Sequence, residues 1–100
     1  MRIASVCAAA IVAAAPLAVS AQGRNPGRDL AASCAMCHGT DGRGAVGYEP
    51  LAGMAKADLV RKFTEFRSGV KPATVMHQIS KGYTDPQIQL IAEYFSAQKK

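Results

Sequence analysis

The sequence predicts a small all-α domain of four or five short helices. Apolar residues recur at three- and four-residue spacing, which is the pattern of amphipathic helices, and no segment alternates as a strand would. Proline beside a capping residue, or glycine after an apolar run, marks the expected helix ends. No internal repeat is visible in the 100 residues, so a single domain is expected.

The first helix is expected to begin at Asn25-Pro26 and to run to about Cys34. Asparagine is a favourable N-cap, proline is preferred at the first helical position, and Asp29 suits the positive end of the helix. The next segment, 39–47, carries four glycines in nine residues. Such a density of glycine breaks a helix and predicts a loop.

A longer helix is expected over residues 56–68. Leu59, Phe63 and Phe66 lie at offsets of zero, four and seven, so they share one face, and Val60 lies beside them. Gly69 is the natural stop. Three charged residues are largely kept off the apolar face: Lys56, Lys62 and Glu65.

Two further helices complete the domain. Thr74 is expected to cap a short helix from Val75 to about Lys81, which would end at Gly82. Asp85-Pro86 then supplies the cap and the first residue of the last helix. The apolar side of this helix is formed by four residues: Ile88, Ile91, Tyr94 and Phe95.

Residues 1–21 are expected to form a cleaved secretory signal peptide, which leaves residues 22–100 as the mature domain in the periplasm. Arg2 precedes an uncharged run rich in Ala, Val and Ile, and the segment ends in the small residues Ser20 and Ala21. The alternative is an uncleaved membrane anchor, since the run is almost long enough to cross a bilayer of ~30 Å. Weakly hydrophobic alanine and Pro16 favour cleavage, and hence no stable membrane insertion.

Cys34-Ala35-Met36-Cys37-His38 has the spacing of covalent c-type haem attachment. Two thiols three residues apart on a helical turn can both add to the vinyl groups along one edge of a porphyrin. The next side chain then falls under the iron, so His38 is the expected proximal ligand. The motif therefore predicts one covalently attached haem c, bound through Cys34 and Cys37, and a function in electron transfer.

Two other uses of a Cys-x-x-Cys pair fit this sequence less well. A thioredoxin-like redox pair requires a preceding strand in a βαβ context, which this chain does not offer. A structural zinc ion requires four ligands, whereas His77 and Cys7 are the only other histidine and cysteine. Without Cys7 no structural disulfide can form, so the haem would also stabilise this small domain.

The second axial ligand of the iron has four candidates: Met36, Met54, Met76 and His77. Met36 lies inside the attachment motif and cannot reach the distal face, and Met54 suits a flexible core filler. Met76 lies 39 residues after Cys37 and beyond the long helix, so the chain is long enough to pass around the haem. Met76 is therefore favoured, with His77 or an open distal site as the alternatives.

The charge balance points to protein partners and not to nucleic acid. Twelve Lys and Arg residues stand against seven Asp and Glu, a mild excess without a basic run beyond Lys99-Lys100. Aromatic residues are not interleaved with basic ones, as a nucleic-acid surface would require. Scattered lysines such as Lys62, Lys71 and Lys81 suit docking to acidic faces of redox proteins.

The chain resembles the small class I cytochromes c, a group that includes cytochromes c4, c5 and c553, over nearly all of its mature part. The resemblance implies that fold around one haem, with Met76 as the distal ligand and the carbonyl of Pro50 accepting the ring N–H of His38. It also implies that the first and last helices cross where Gly27 faces Tyr94. The matching stretches are Gly27–Cys34, Cys34–Gly39, Pro50–Gly53, Phe66–Gly69, Thr74–Met76, Gly82–Ile88 and Ile91–Tyr94.

Within that group, residues 66–98 are most similar to the cytochrome subunit of flavocytochrome c sulfide dehydrogenase. This finer resemblance implies a flavoprotein partner that oxidises sulfide and passes electrons to the haem, so that the chain is not catalytic alone. With one attachment motif, it could match only a single-haem form. Lys71 stands where relatives often have an arginine near a haem propionate. The lysine ammonium is a point charge, whereas an arginine guanidinium can donate two parallel hydrogen bonds to a carboxylate.

Three functions therefore stay open from the sequence. The first is electron transfer, either as a free periplasmic shuttle to an oxidase or other redox enzyme, or as the haem subunit of a dehydrogenase. The second is a ligand-binding or catalytic haem protein with an open distal site, which Met76 disfavours. The third is a membrane-anchored cytochrome, which depends on whether residues 1–21 are removed.

Overall fold

The fold is known from a computed structural model that describes residues 8–14 and 24–100. Residues 8–14 are exposed and contain no helix or strand. The rest of the predicted leader lies outside the described residues, as do Cys7 and the expected cleavage site after Ala21. Within the two described ranges, no helix is long and apolar enough to cross a membrane.

The described part of the chain is helical, which confirms the predicted all-α class. Over residues 24–100 the only β-type pairing is an isolated bridge between Ala45 and Tyr48. The α-helices are α1 (Pro26–Ala31), α2 (Ala35–His38), α3 (Lys56–Ser68), α4 (Val75–Ser80) and α5 (Asp85–Ser96). Two 3-10 turns, Ala32–Cys34 and Thr40–Gly42, flank α2.

The first helical segment begins as its sequence predicts and extends further. The Asn25 side chain accepts a hydrogen bond of 3.0 Å from the backbone N–H of Arg28, and Pro26 occupies the first turn. The α-helical part ends at Ala31, but the 3-10 turn leads directly into α2, so helical backbone continues to His38. Gly39, with φ of 81°, then ends the segment. The whole attachment motif is therefore held on helical turns.

α3 has the predicted bounds, Lys56–Ser68, and Gly69 ends it in the left-handed conformation with φ of 82°. The two later helices differ from the prediction in their caps. The side chain of Thr74 makes no capping hydrogen bond to α4, which ends one residue early at Ser80.

The N-cap of α5 is Thr84 and not Asp85. The Thr84 hydroxyl accepts from the backbone N–H of Gln87 at 3.3 Å, and the Gln87 side chain accepts from the backbone N–H of Thr84 at 2.9 Å. This reciprocal pair satisfies two donors at the start of the helix, which a single aspartate cap would not do. Asp85 instead accepts a hydrogen bond of 2.5 Å from Arg67 on α3.

The core lies where α1, α3 and α5 meet. At the crossing of α1 and α5, a Cβ atom on Gly27 would lie 2.5 Å from the carbonyl oxygen of Leu90 and 3.2 Å from Cβ of Tyr94. The backbones therefore approach closely only because residue 27 is glycine, which confirms the predicted contact of Gly27 with Tyr94. The buried cluster consists of Ala31, Leu59, Ile91, Ala92 and Phe95.

The loop after His38 is fixed to this core through Gly42. A Cβ atom there would lie 2.6 Å from the Phe95 ring, so the loop backbone rests directly on α5. The Gly42 carbonyl accepts hydrogen bonds from the backbone N–H groups of Leu51 (2.7 Å) and Ala52 (2.9 Å). Both ends of the segment 43–50 are thereby held beside the attachment motif.

Candidate haem-binding site

The two thiols of the motif lie on successive turns at the core edge. Cys34 and Cys37 are half-buried and free, and Cys34 packs against the buried cluster. Burial raises the pKa of the Cys34 thiol, and the hydrogen bond from Ser33 opposes this only in part. Redox-active dithiols depend on a lowered thiol pKa. The surroundings of Cys34 therefore disfavour a thioredoxin-like pair.

The ring of His38 is held by one short hydrogen bond. Its Nδ1 lies 2.7 Å from the carbonyl oxygen of Glu49. Because a carbonyl only accepts, Nδ1 carries the proton, and Nε2 keeps the lone pair that iron ligation requires. The ring of Tyr48 stands edge-on to the imidazole, with 6.0 Å between the ring centroids.

The acceptor of this bond corrects the prediction made for Pro50. The carbonyl belongs to Glu49, one residue earlier, so the assignment of Pro50 as the hydrogen-bonding residue is wrong. Pro50 packs instead against the loop backbone, since a Cβ atom on Gly44 would lie 3.0 Å from its ring. A proline also restricts the residue before it to extended conformations, which limits the directions in which the Glu49 carbonyl can point.

The side chain of Glu49 is fixed as well. Its carboxylate accepts a hydrogen bond of 2.5 Å from Nζ of Lys62 on α3. Only 23% of the Lys62 side chain is exposed, against 48% for Glu49, so Lys62 lies along the protein surface and does not extend into solvent. Lys62 is predicted to lie largely off the apolar face of α3, but its side chain is mostly covered. The role of Glu49 is not predicted from the sequence.

The distal candidates occupy different environments. Met54 packs against the buried cluster, in agreement with a core-filling role, whereas Met36 is 89% exposed. Met76 is half-buried on α4 and is not among the residues that pack on the cluster. His77 is half-buried, and its Nδ1 donates to the carbonyl of Phe66 at 2.9 Å, which ties α4 to the end of α3.

Tyr83 links the loop before α5 to the attachment motif and was not singled out by sequence reasoning. Its ring stands edge-on to Phe63 at 5.6 Å, and its hydroxyl lies 3.3 Å from that of Ser33, the residue before Cys34. Its backbone carbonyl accepts from Arg67 at 3.4 Å. A tyrosine has an apolar ring and a polar hydroxyl. The sequence alone therefore does not show whether Tyr83 packs through its ring or bonds through its hydroxyl.

A second unpredicted contact lies on the other side of the motif. The Tyr94 hydroxyl donates to the Asp41 carboxylate at 2.6 Å, and this hydrogen bond is the main cause of a raised pKa at Tyr94. Asp41 has a φ of 53°, a left-handed conformation that is uncommon outside glycine. The 3-10 turn after the motif is therefore bonded to α5 by a side chain as well as by backbone packing.

The donor set of the motif fits a haem. Within residues 8–14 and 24–100, no three His, Cys, Asp or Glu side chains converge as the ligands of a metal ion would. The two thiols lie along one edge of the helical turns, and an imidazole with an unprotonated Nε2 follows them. This arrangement matches a haem, which is linked along its edge and ligated from one face.

Comparison with known proteins agrees with this geometry. Residues 25–99 match the family model described as "Cytochrome c". The chain is 39% identical over 82 residues to the cytochrome subunit of sulfide dehydrogenase of Chlorobaculum tepidum, covering 82% of this chain and 74% of that protein. It is 37% identical to a thiosulfate dehydrogenase electron acceptor of Thiomonas intermedia, over 69% of this chain but 33% of that protein.

A solved structure shows the same architecture. The cytochrome c4 of Acidithiobacillus ferrooxidans superposes with a TM-score of 0.63 and 37% identity. The match covers 65% of this chain and 38% of that one. The chain therefore corresponds to most of the sulfide dehydrogenase subunit but to little more than a third of the cytochrome c4 chain.

Proposed function

The chain belongs to the cytochrome c family and transfers electrons through covalently bound haem c, and from this premise we propose that it is the haem subunit of a sulfide-oxidising flavoprotein dehydrogenase. The observation that carries the proposal is the 39% identity to a cytochrome subunit of sulfide dehydrogenase over 82% of the chain. The flavoprotein would oxidise sulfide and this chain would accept the electrons. The chain alone would then have no catalytic activity.

The residues that would hold the haem follow from the geometry. The thioethers would form at Cys34 and Cys37, His38 would ligate through Nε2, and the Glu49 carbonyl keeps the His38 proton on Nδ1. Met76 on α4 would supply the thioether of the opposite face. When bound, the haem provides a one-electron couple between ferric and ferrous iron.

Two features favour a stable complex over brief electrostatic docking. Of the three lysines suited to docking, Lys62 is paired with Glu49, and Lys71 lies over the Phe66 ring with Nζ 5.1 Å from its centroid. Pairing with a carboxylate reduces the field that a lysine contributes to long-range attraction. In addition, Met36, between the two attachment cysteines, is 89% exposed, as an apolar anchor of an interface would be.

Purification from native cells distinguishes a subunit from a free shuttle. We expect the haem absorbance to coelute with a flavin in gel filtration, at a mass well above that of this 10.5 kDa chain, and to remain there at moderate salt. Met36→Glu should dissociate the complex because it places a charge in the interface, whereas Gln89→Glu on the exposed side of α5 should leave it intact. Haem eluting at the mass of the lone chain at low salt, without flavin, would refute the subunit assignment and leave the shuttle.

The shuttle remains the second candidate because of one comparison. The Thiomonas intermedia relative is described as an electron acceptor of thiosulfate dehydrogenase. A shuttle of that kind would depend on Lys81, which is exposed, and its rate with partners would fall steeply as salt rises.

We also propose that residues 1–21 are a signal peptide and that the mature domain acts in the periplasm. Support comes from the sequence pattern of the leader and from the match of the family to residues 25–99, which begins after it. Intact-mass spectrometry of the native protein should give residues 22–100 plus one haem. A mass that includes the first 21 residues would show that the leader is retained and would favour the anchored alternative.

A further inference from the structure

We propose that Lys62 is a positioning residue for the proximal histidine, acting through the side chain and the backbone of Glu49. The proposal rests on His38 being the proximal ligand, but it does not depend on which partner supplies the electrons. The contacts form a continuous path from α3 to the imidazole: Lys62 Nζ to the Glu49 carboxylate at 2.5 Å, and the Glu49 carbonyl to His38 Nδ1 at 2.7 Å.

The acceptor carbonyl lies in an exposed segment that is held mainly at its two ends. Residues 45–50 are all exposed, and a Cβ atom on Gly47 would meet nothing within 4 Å. The isolated bridge between Ala45 and Tyr48 is a contact within the segment and gives no anchor to a helix. Leu51 ties the end of the segment to Gly42, and Pro50 limits the direction of the Glu49 carbonyl, so these contacts leave open only a small displacement of the carbonyl relative to the imidazole.

α3, in contrast, is a firm support. It runs for 13 residues and buries Leu59 in the core against α5. Lys62 follows Leu59 by three residues, so the two lie on neighbouring positions of the same helix surface, which explains why Lys62 is only 23% exposed. Among the hydrogen bonds of the described residues, Lys62 provides the one that joins the Glu49 side chain to a helix.

The consequence for His38 is chemical as well as geometric. The hydrogen bond from Nδ1 to a carbonyl fixes the ring orientation and raises the basicity of Nε2. A more basic ligand stabilises ferric over ferrous iron, so a weakened bond raises the reduction potential. Removing a positive charge near the haem has the opposite effect, because it favours the ferric state. A rise in the reduction potential therefore indicates a weakened hydrogen bond to His38, whereas a fall indicates only the loss of a positive charge.

Arg61 offers a matched control on the same helix. Its guanidinium pairs with Asp58 at 3.5 Å and with Glu65 at 3.2 Å, both on α3. Arg61→Met removes one positive charge, as Lys62→Met does, but leaves Glu49 untouched. Lys62→Arg keeps the charge at residue 62, and Glu49→Gln removes the carboxylate while retaining the backbone carbonyl.

The primary measurement is solvent exchange of the His38 Nδ1 proton, observed by NMR in the reduced, haem-loaded protein. Loss of a partly buried ion pair predicts about fivefold faster exchange in Lys62→Met and in Glu49→Gln. The double variant should exchange no faster than either single variant, because both act through one path. Arg61→Met and Lys62→Arg should match the wild type.

The reduction potential provides the second measurement. Lys62→Met should have a higher potential than Arg61→Met, although both lose one positive charge. Equal proton exchange in the Lys62→Met and Arg61→Met variants, together with equal potentials, would overturn the proposal and leave an ordinary surface ion pair. Neither measurement involves a partner, so failure here is distinct from failure of the subunit assignment.

Discussion

Replacing Cys34 by alanine should leave little folded protein, and Cys37→Ala should do the same. The reason is the small size of the core. Its fully enclosed cluster includes two alanines, and Cys34 itself packs against it. Below roughly 80 residues a hydrophobic core alone rarely supplies more than about 5 kcal/mol. A covalently held haem would therefore provide much of the apolar contact that keeps the helices together.

Circular dichroism of purified protein provides the measurement. The Cys34→Ala variant should lose most of the helical signal, and little of it should accumulate in cells. Met36→Ala is the matched control, since Met36 lies within the same motif but is 89% exposed, so its helical signal and haem content should equal those of the wild type. Wild-type helicity in haem-free Cys34→Ala would show that the helices pack without the haem.

The sequence predicts the helices well because their signals are local. Asn25 with Pro26, the apolar spacing of Leu59 and Phe63, and the stop at Gly69 each depend on a few neighbouring residues. The N-cap of α5 lies one residue before the predicted Asp85, because Thr84 and Asp85 are both good caps and only the reciprocal bond with Gln87 decides between them.

The side-chain contacts around the motif were not predictable in the same way. Lys62 and Glu49 are 13 residues apart, Ser33 and Tyr83 are 50 apart, and no local pattern connects either pair. The acceptor at Glu49 is the backbone carbonyl, which every residue type has. The residue type at position 49 therefore does not indicate this role. Pro50 is the one residue of this segment that the sequence indicates as a hydrogen-bond partner of His38. The segment is correct, but the acceptor is the carbonyl of Glu49, one residue earlier.

The sequence predicts the three haem-binding residues Cys34, Cys37 and His38 because their spacing is fixed by the geometry of one helical turn. The distal ligand has no such constraint, since it comes from a separate element whose distance along the chain varies. In the structure Met54 packs on the core and Met36 is exposed, which supports the proposal that the distal ligand lies on α4. Met76 and His77 remain side by side on α4, and a spectroscopic test separates them.

Met76→Ala should retain the covalent haem but open the iron to an added ligand such as carbon monoxide. The near-infrared charge-transfer band from thioether sulfur to ferric iron should disappear. The reduction potential should fall, since thioether ligation stabilises the ferrous state. Helical content should change little, because Met76 does not pack on the buried cluster.

Two control variants make this test specific. Met54→Ala should destabilise the fold by about 1–2 kcal/mol, because it removes a partly buried side chain that packs on the core, yet it should keep the charge-transfer band. His77→Gln removes the bond to the Phe66 carbonyl and should also keep the band, since thioether ligation does not require the imidazole. If the band survives in Met76→Ala and is lost in Met54→Ala, the distal ligand is Met54. Absence of the band from the wild type, with carbon monoxide binding unchanged by any of the three substitutions, would indicate an open distal site.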